Sequence, residues 1–530
     1  MDLTTTTNTA CVSLREPGAI LLISCYELGH QPLGIAQPLG LLEEAGYQPA
    51  ALDIAVEPFD EERIQRARFI GISVPMHTAL RLGVRVSGLV RRYNPGCHIC
   101  FYGLYASLNA EYLLEHFADT VIGGEYERPL LELIDAFEKD RAAVATLDGV
   151  SHRGRTVEPF LTRLPALLPP PSRTGLPPLH RYARLQLDGQ EGLVGYVEAS
   201  RGCLHHCLHC PIVPVYNGRF FLVPEDSVLQ DIRQLVKAGA THMTFGDPDF
   251  LNGPGHSMRI VRAMHAEFPH LTFDCTAKIE HILKRRSLLP ELAELGCLFL
   301  ISAVESFSNS VLDCLKKGHT QADVIAVLEA VRSAGITLRP SLVAFTPWTM
   351  LNDYVEMFEI VESNDLIDAI DPVQYTIRLL IPPGSALLEH SDIHRYLRGL
   401  SQTNFQYHWF HPDPRMDTLH TQVNKAVQEA GSTEDSEMIF ERLRAMAEAV
   451  AGVRHARPAR RRSPINRKAP RLTEPWFCCA EPTDEQFRPL HTEGSGGGSS
   501  RTGPPPAMEG SGGGSSRTGP PPAMKGHGEI

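Results

Sequence analysis

Ser200-Arg201-Gly202-Cys203-Leu204-His205-His206-Cys207-Leu208-His209-Cys210-Pro211 sets three cysteines in a C-x3-C-x2-C spacing. Three thiolates this close on one loop can hold three irons of a [4Fe–4S] cube. The fourth iron is then left without a protein ligand, and an open metal position is where chemistry can occur. The same spacing fits a structural zinc site completed by His205, His206 or His209. The surroundings of the loop bear on the choice. Residues 193–199 read as a strand, and further strands are expected at 242–245, 272–275, 298–303, 337–344 and 373–380. Helical patterns fall between them at 227–238, 288–295, 323–333 and 354–362; in the first, Val228, Leu229, Ile232, Leu235 and Val236 share one face. Six strands with helical crossovers predict a partial (β/α)6 barrel whose first strand feeds the cysteine loop. Barrel chemistry sits on the loops after the strands, so a catalytic loop belongs there.

Upstream, residues 18–140 alternate short apolar runs (19–24, 48–53, 69–74, 98–102, 120–122) with helical segments such as 38–45 and 80–93. This pattern predicts a doubly wound parallel sheet, which binds ligands at the carboxyl ends of its strands. The expected fold class is therefore α/β: a doubly wound domain (18–140), a Pro-rich linker (141–190) and a barrel (191–390). A mainly helical region (391–453) follows. Residues 1–17 read as a mobile leader. Residues 454–475 form a basic linker, with eight Arg or Lys between Arg454 and Arg471. Residues 483–530 hold the segment EGSGGGSSRTGPPPAM twice, at 493–508 and 509–524. A Gly/Ser/Pro repeat cannot bury a core and is expected to be disordered.

The 530 residues carry a net charge of −12, which argues against a general nucleic-acid binder; the basic linker lacks interleaved aromatics. No apolar run is long enough for a membrane span and no secretion signal opens the chain, so a cytoplasmic protein is expected. Twelve cysteines in such a chain read as thiols or metal ligands rather than a disulfide framework. Cys97 and Cys100 fall on an expected strand and read as core residues.

With the motif on its first loop, the barrel segment resembles the radical S-adenosylmethionine (SAM) enzymes. The resemblance implies a [4Fe–4S] cluster on Cys203, Cys207 and Cys210, whose open iron is chelated by SAM. One electron then cleaves SAM to methionine and a 5′-deoxyadenosyl radical. It further implies cofactor-binding roles for His209, which stands where relatives place an aromatic residue near the adenine. Gly246 and Asp247, in Thr244-Phe245-Gly246-Asp247-Pro248-Asp249-Phe250, would lie near the methionine amino group. Glu305 and Ser306, in Ser302-Ala303-Val304-Glu305-Ser306, would lie near the ribose and carboxylate. Lys278 and Arg339, with Glu280 and Arg378 behind them, are further candidates at later strand ends. The implied partners are a small-molecule substrate and an electron donor such as flavodoxin or ferredoxin.

The first domain resembles the cobalamin-binding domains fused to many radical SAM enzymes. The matching pieces are Pro32-Leu33-Gly34, Gly71-Ile72-Ser73-Val74-Pro75-Met76-His77-Thr78 and Gly123-Gly124-Glu125-Tyr126-Glu127. The D-x-H-x-x-G motif that supplies a lower axial histidine is absent. Asp392-Ile393-His394 begins similarly outside this domain, and His30 has other surroundings. Cobalamin binding and an empty domain used for substrate or partner contact both stay open. Near the end, Pro475-Trp476-Phe477-Cys478-Cys479-Ala480-Glu481-Pro482 is similar to the signature of the CUAEP/CCAEP-tail radical SAM (seleno)protein family. That resemblance implies that Cys478 and Cys479 (476–482) form a reactive redox pair. The expected activity is radical modification of a small molecule. Alternatives are a cobalamin-dependent methyltransferase, a non-catalytic cluster or metalloid sensor, and a tRNA-modifying enzyme.

Overall fold

Leu21, Leu22 and Ile23, like Ile70, Ile72, Ile99 and Phe101, are buried completely or nearly so, as strands covered on both faces must be. The computed structural model describes residues 13–165, 167–430, 434–453 and 468–474. Its first sheet comprises β1 (Ile20–Ser24), β2 (Ala50–Asp53), β3 (Phe69–Ser73), β4 (His98–Tyr102), β5 (Thr120–Ile122) and β6 (Val150–His152). The order is β2-β1-β3-β4-β5-β6, parallel except for the antiparallel edge strand β6. β6 lies in the stretch expected to be linker; that stretch contributes to the sheet rather than only crossing between domains. Cys97 and Cys100 are buried in this core.

The first helix spans Leu33–Glu44, five residues earlier than expected, so Pro38 is interior rather than initial. Proline cannot donate to the carbonyl four residues back. That carbonyl belongs to Gly34, and the Tyr102 hydroxyl donates to it instead at 3.0 Å. Gly34 is small because a Cβ there would lie 2.5 Å from Ser73 Oγ.

The second sheet contains β7 (Arg184–Leu187) and β8 (Gln190–Val197). A short antiparallel ribbon, β9 (Ser200–Gly202) with β10 (Phe220–Leu222), follows β8. The sheet continues with β11 (His242–Phe245), β12 (Thr272–Thr276), β13 (Cys297–Glu305) and β14 (Thr337–Leu342). β8 and β11 to β14 are parallel and form the half-barrel; β7 joins antiparallel at its edge. The expected sixth strand is reduced to a 3-10 turn, Pro372–Thr376, and a single bridge between Phe345 and Arg378. Helices Glu225–Lys237, Pro254–Glu267, Gln321–Ser333 and Leu351–Ser363 cover the outer face.

The region 391–453 is less helical than expected. A hairpin of β15 (Leu397–Ser401) and β16 (Gln406–Trp409) precedes the helices Pro414–Ala430 and Ser436–Ala451. Within the expected basic linker, β17 (Arg471–Leu472) pairs antiparallel with β7. Of the expected leader 1–17, residues 1–12 lie outside the described residues, whereas Leu14 is buried in the first core, so the leader is shorter than expected. Most of the basic stretch, Cys478 and Cys479, and the repeat tail also lie outside the described residues. Among the described residues no helix is long and apolar enough to cross a membrane.

Candidate active site

The β9–β10 ribbon is the stem of the cysteine loop. Its strands pair Gly202 with Phe220, and Cys203 N donates to Arg219 O at 3.1 Å, so the loop leaves the half-barrel from a fixed base. Cys203, Cys207 and Cys210 line a cavity of about 320 Å³. His209, Gly246, Asp247, Lys278 and Glu305 line it too, so the fold brings these five expected residues together with the thiols. The opposite wall comes from the first domain: Glu27 and Leu28 after β1, Ser73 ending β3 with Pro75 and Met76 after it, Gly103 to Tyr105 after β4, and Gly124 and Tyr126 after β5. The carboxyl ends of both sheets thus face one space.

Glu305 ends β13 at a bulge, with a φ of 66°, a left-handed conformation that costs a non-glycine residue energy. Its carboxylate lines the cavity. There His209 Nε2 lies 3.0 Å and Lys317 Nζ 3.2 Å from Oε1, all three side chains being almost fully buried. Burial alone would raise the Glu305 carboxyl, but Lys317 and His209 outweigh it and hold it down at about 2. Burial would likewise lower Lys317, and the charges of Glu305, Cys207 and Cys210 outweigh that and hold it well above its ordinary value. A locked ammonium beside thiols suits a site that must hold anionic thiolates and sulfides. Lys317 escaped sequence reasoning because Leu315-Lys316-Lys317-Gly318 reads as a solvated turn.

Asp247 is buried at the end of β11, where Oδ1 accepts from Ser200 Oγ at 2.6 Å and Oδ2 from Ala199 N at 2.9 Å. Burial pushes its carboxyl up to about 7 against those hydrogen bonds. Gly246 is needed for packing: a Cβ there would lie 2.1 Å from Tyr196 Oη. Tyr196, at the end of β8, is the ring that stands between the two domains, stacked on His30 with centroids 4.4 Å apart. Arg201, two residues before the first cysteine, ties the domains together. Nη1 bonds Glu125 at 3.1 Å and also Glu127, and Nε bonds Glu198 at 2.9 Å. Neither Tyr196 nor Arg201 was a sequence candidate.

Two expected residues lie elsewhere. Ser306 Oγ accepts from Ser308 N at 3.1 Å and serves the turn after β13, outside the cavity lining. Arg339 points to the inner face of the half-barrel away from the thiols, paired with Asp371 at 2.8 Å and donating to Pro470 O. The weaker candidate Arg378 is also structural: it pairs with Asp417 and lies over Trp409 at 3.6 Å. Lys278 Nζ is 3.0 Å from His205 Nδ1 and 3.5 Å from Glu280.

The donor set bears on which metal group the loop suits. Thiolates around one zinc ion lie about 3.8 Å apart. Among the described residues, the three cysteines form no group whose ligand atoms lie within 4.8 Å of one another. Of the loop imidazoles, His209 is held by Glu305 at 3.0 Å. Thiols too far apart to share one ion fit a cluster with one unligated iron, not a structural zinc ion.

Residues 197–360 match the Radical SAM superfamily. The chain is 24% identical over 343 residues to hopanoid C-3 methylase of Methylococcus capsulatus, covering 62% of this chain and 63% of the methylase. It is 23% identical over 262 residues to tRNA-2-methylthio-N(6)-dimethylallyladenosine synthase of Salmonella paratyphi A, covering 46% and 48%. The chain therefore spans between about half and just under two thirds of the lengths of these curated relatives. Its fold is similar to that of the cobalamin-dependent S-adenosylmethionine radical enzyme OxsB, solved with aqua-cobalamin and S-adenosylmethionine. The TM-score is 0.63 at 15% identity, over 82% of this chain and 72% of that one. The radical SAM methyltransferase TsrM from Kitasatospora setae, solved with cobalamin and a [4Fe-4S] cluster, gives 0.59 at 14% identity, over 82% and 99%. The half-barrel around the cysteine loop is thus a radical SAM domain, which takes a [4Fe–4S] cluster and SAM, and the chain is an enzyme.

Proposed function

We propose that this enzyme uses a cluster on Cys203, Cys207 and Cys210 to cleave SAM and modify a small-molecule substrate in the space between its two sheets. The cavity joining the cysteine loop to the carboxyl edge of the first sheet carries this reading. When bound, the cluster supplies the electron that splits SAM into methionine and a 5′-deoxyadenosyl radical. The chain's own residues do the positioning. Lys317 balances the charge of the thiolates, while Glu305 orients His209 beside Cys210. Asp247 presents a buried carboxyl to the cavity beside Gly246, where it can accept from an ammonium group of the cofactor. Arg201 holds the two walls together. Flavodoxin or ferredoxin would serve as electron donor, in the cytoplasm.

A cobalamin-using variant is favoured by one observation. Pro75, Met76 and Leu104, with Gly103 and Gly124 offering no side chains, form an apolar platform that faces the thiols. A flat macrocycle fits such a surface, and cobalamin would supply a methyl carrier there. The tail reading also has support from the chain's course. Glu474, four residues before Cys478, is bonded to the Tyr26 hydroxyl at 2.6 Å, next to the cavity residues Glu27 and Leu28. Five residues extend at most about 17 Å, so Cys479 stays within that radius of Glu474.

The test is anaerobic purification with cofactor analysis. About four irons per chain and dithionite-driven release of 5′-deoxyadenosine are expected; absence of both overturns the proposal. Extracted corrinoid together with S-adenosylhomocysteine would select the cobalamin variant. A Cys479→Ser enzyme should still cleave SAM but lose product formation if the tail thiols act on the substrate.

A further inference from the structure

Three more ligand-type side chains converge beside the cysteine loop without belonging to it. His205 lies midway between Cys203 and Cys207, Asp249 just past β11, and His281 in the helix Ile279–Lys284. Their ligand atoms all lie within 4.8 Å of one another. Asp249 Oδ2 is 3.6 Å from His205 Nε2 and 2.6 Å from His281 Nδ1, with the two rings 4.6 Å apart. Neither carboxylate–imidazole approach makes a hydrogen bond, and all three atoms are buried without a hydrogen-bond partner. The Asp249 side chain is only 2% exposed, and its other oxygen, Oδ1, accepts from Leu251 N at 3.1 Å. Buried polar atoms are normally satisfied, and three that face one point need a common partner.

We infer that His205 Nε2, Asp249 Oδ2 and His281 Nδ1 bind one divalent transition-metal ion of the zinc or ferrous type. Two imidazoles and a carboxylate are a donor set for such ions, and donors about 2.1 Å from a tetrahedral ion lie about 3.4 Å apart. The present separations bracket that value. Three protein ligands leave a coordination position open. Because His205 and Asp249 line the cavity, that position faces the space the thiols share, ready for water or an oxygen of a substrate. An outer partner is in place as well: Glu280 Oε2 lies 3.8 Å from His205 Nδ1. With the metal on Nε2, Nδ1 must carry its proton and donate to Glu280, and Lys278 must leave Nδ1 for Glu280, already 3.5 Å away. The ion would brace the loop between its first two thiols. The site stands whether or not the enzyme cleaves SAM.

The experiment uses full-length, cluster-loaded protein dialysed anaerobically against zinc, with iron and zinc counted by mass spectrometry. The expected result is one zinc in addition to about four irons, with zinc K-edge absorption showing nitrogen and oxygen ligands only. Asp249→Asn and His281→Gln should each weaken zinc binding by about tenfold or more while keeping the iron. His281→Gln guards against a misfolded Asp249 variant, because His281 lies on a separate helix and does not line the cavity. No zinc above the level of the two variants, or sulfur among the zinc ligands, overturns the inference. A cluster-free protein with intact zinc would overturn the proposed function and leave this site standing.

Discussion

The carboxyl edges of the two sheets face each other but are built in opposite ways. The half-barrel edge is crowded with buried charge, and almost every charge is spoken for: Glu305 by Lys317 and His209, Asp247 by Ser200 and Ala199. The edge of the first sheet offers Pro75, Met76, Leu104 and bare glycines. One edge holds ions by prior organisation, and the other offers surface. Radical chemistry needs both, since a cluster must stay fixed while a bulky partner is admitted between rigid walls.

The largest effect that would break this contrast is on the thiols. Cys203→Ala or Cys207→Ala should drop iron from about four per chain to near zero and abolish 5′-deoxyadenosine release, with the far-ultraviolet spectrum unchanged. Next, Glu305→Ala leaves Lys317 buried without its counter-charge and should cost about 3–5 kcal/mol in denaturant unfolding. If the loss stays below about 1 kcal/mol, the edge is not preorganised as described. Gly246→Ala should cost about 1–3 kcal/mol, because the new methyl collides with Tyr196; adding Tyr196→Ala should recover part of it.

The pH response sharpens the contrast at the other wall. Burial, with Glu198 nearby, pushes the Glu27 carboxyl up to about 8 from an ordinary 4.5. The folded state therefore holds a proton that the unfolded state has released, so stability falls as pH rises from about 4.5 to about 8. Glu27→Gln should flatten that decline in unfolding midpoints measured across the window. The smallest effect is expected for Glu474→Ala, which removes the bond to Tyr26 at a cost of about 0.5–1.5 kcal/mol.

Much of this design is legible in the residues themselves. Buried, mostly apolar runs mark β4, β5 and β11 to the residue, and the polar residues inside β11, His242 and Thr244, are satisfied by Asp274. The cysteine spacing marks the loop. What local patterns do not carry is juxtaposition: Lys317 reaches Glu305 across a helix, and His205, Asp249 and His281 meet across 76 residues. Arg339 misled because it lies in the middle of β14 rather than at its carboxyl end, level with Ile301 and paired with Asp371. Pro38 misled because a helix start was assigned where a tyrosine hydroxyl lets the helix tolerate the residue. The hairpin β15–β16 is hidden in a stretch of mixed polarity, a third of it exposed.

One short pairing has a practical side. Arg471 and Leu472 cover the outer rim of β7, a strand that would otherwise present free amides and carbonyls to neighbouring molecules. A protein shortened to end before Arg471 would uncover that rim and self-associate through it, whereas one ending after Glu474 keeps the rim sealed and stays dispersed.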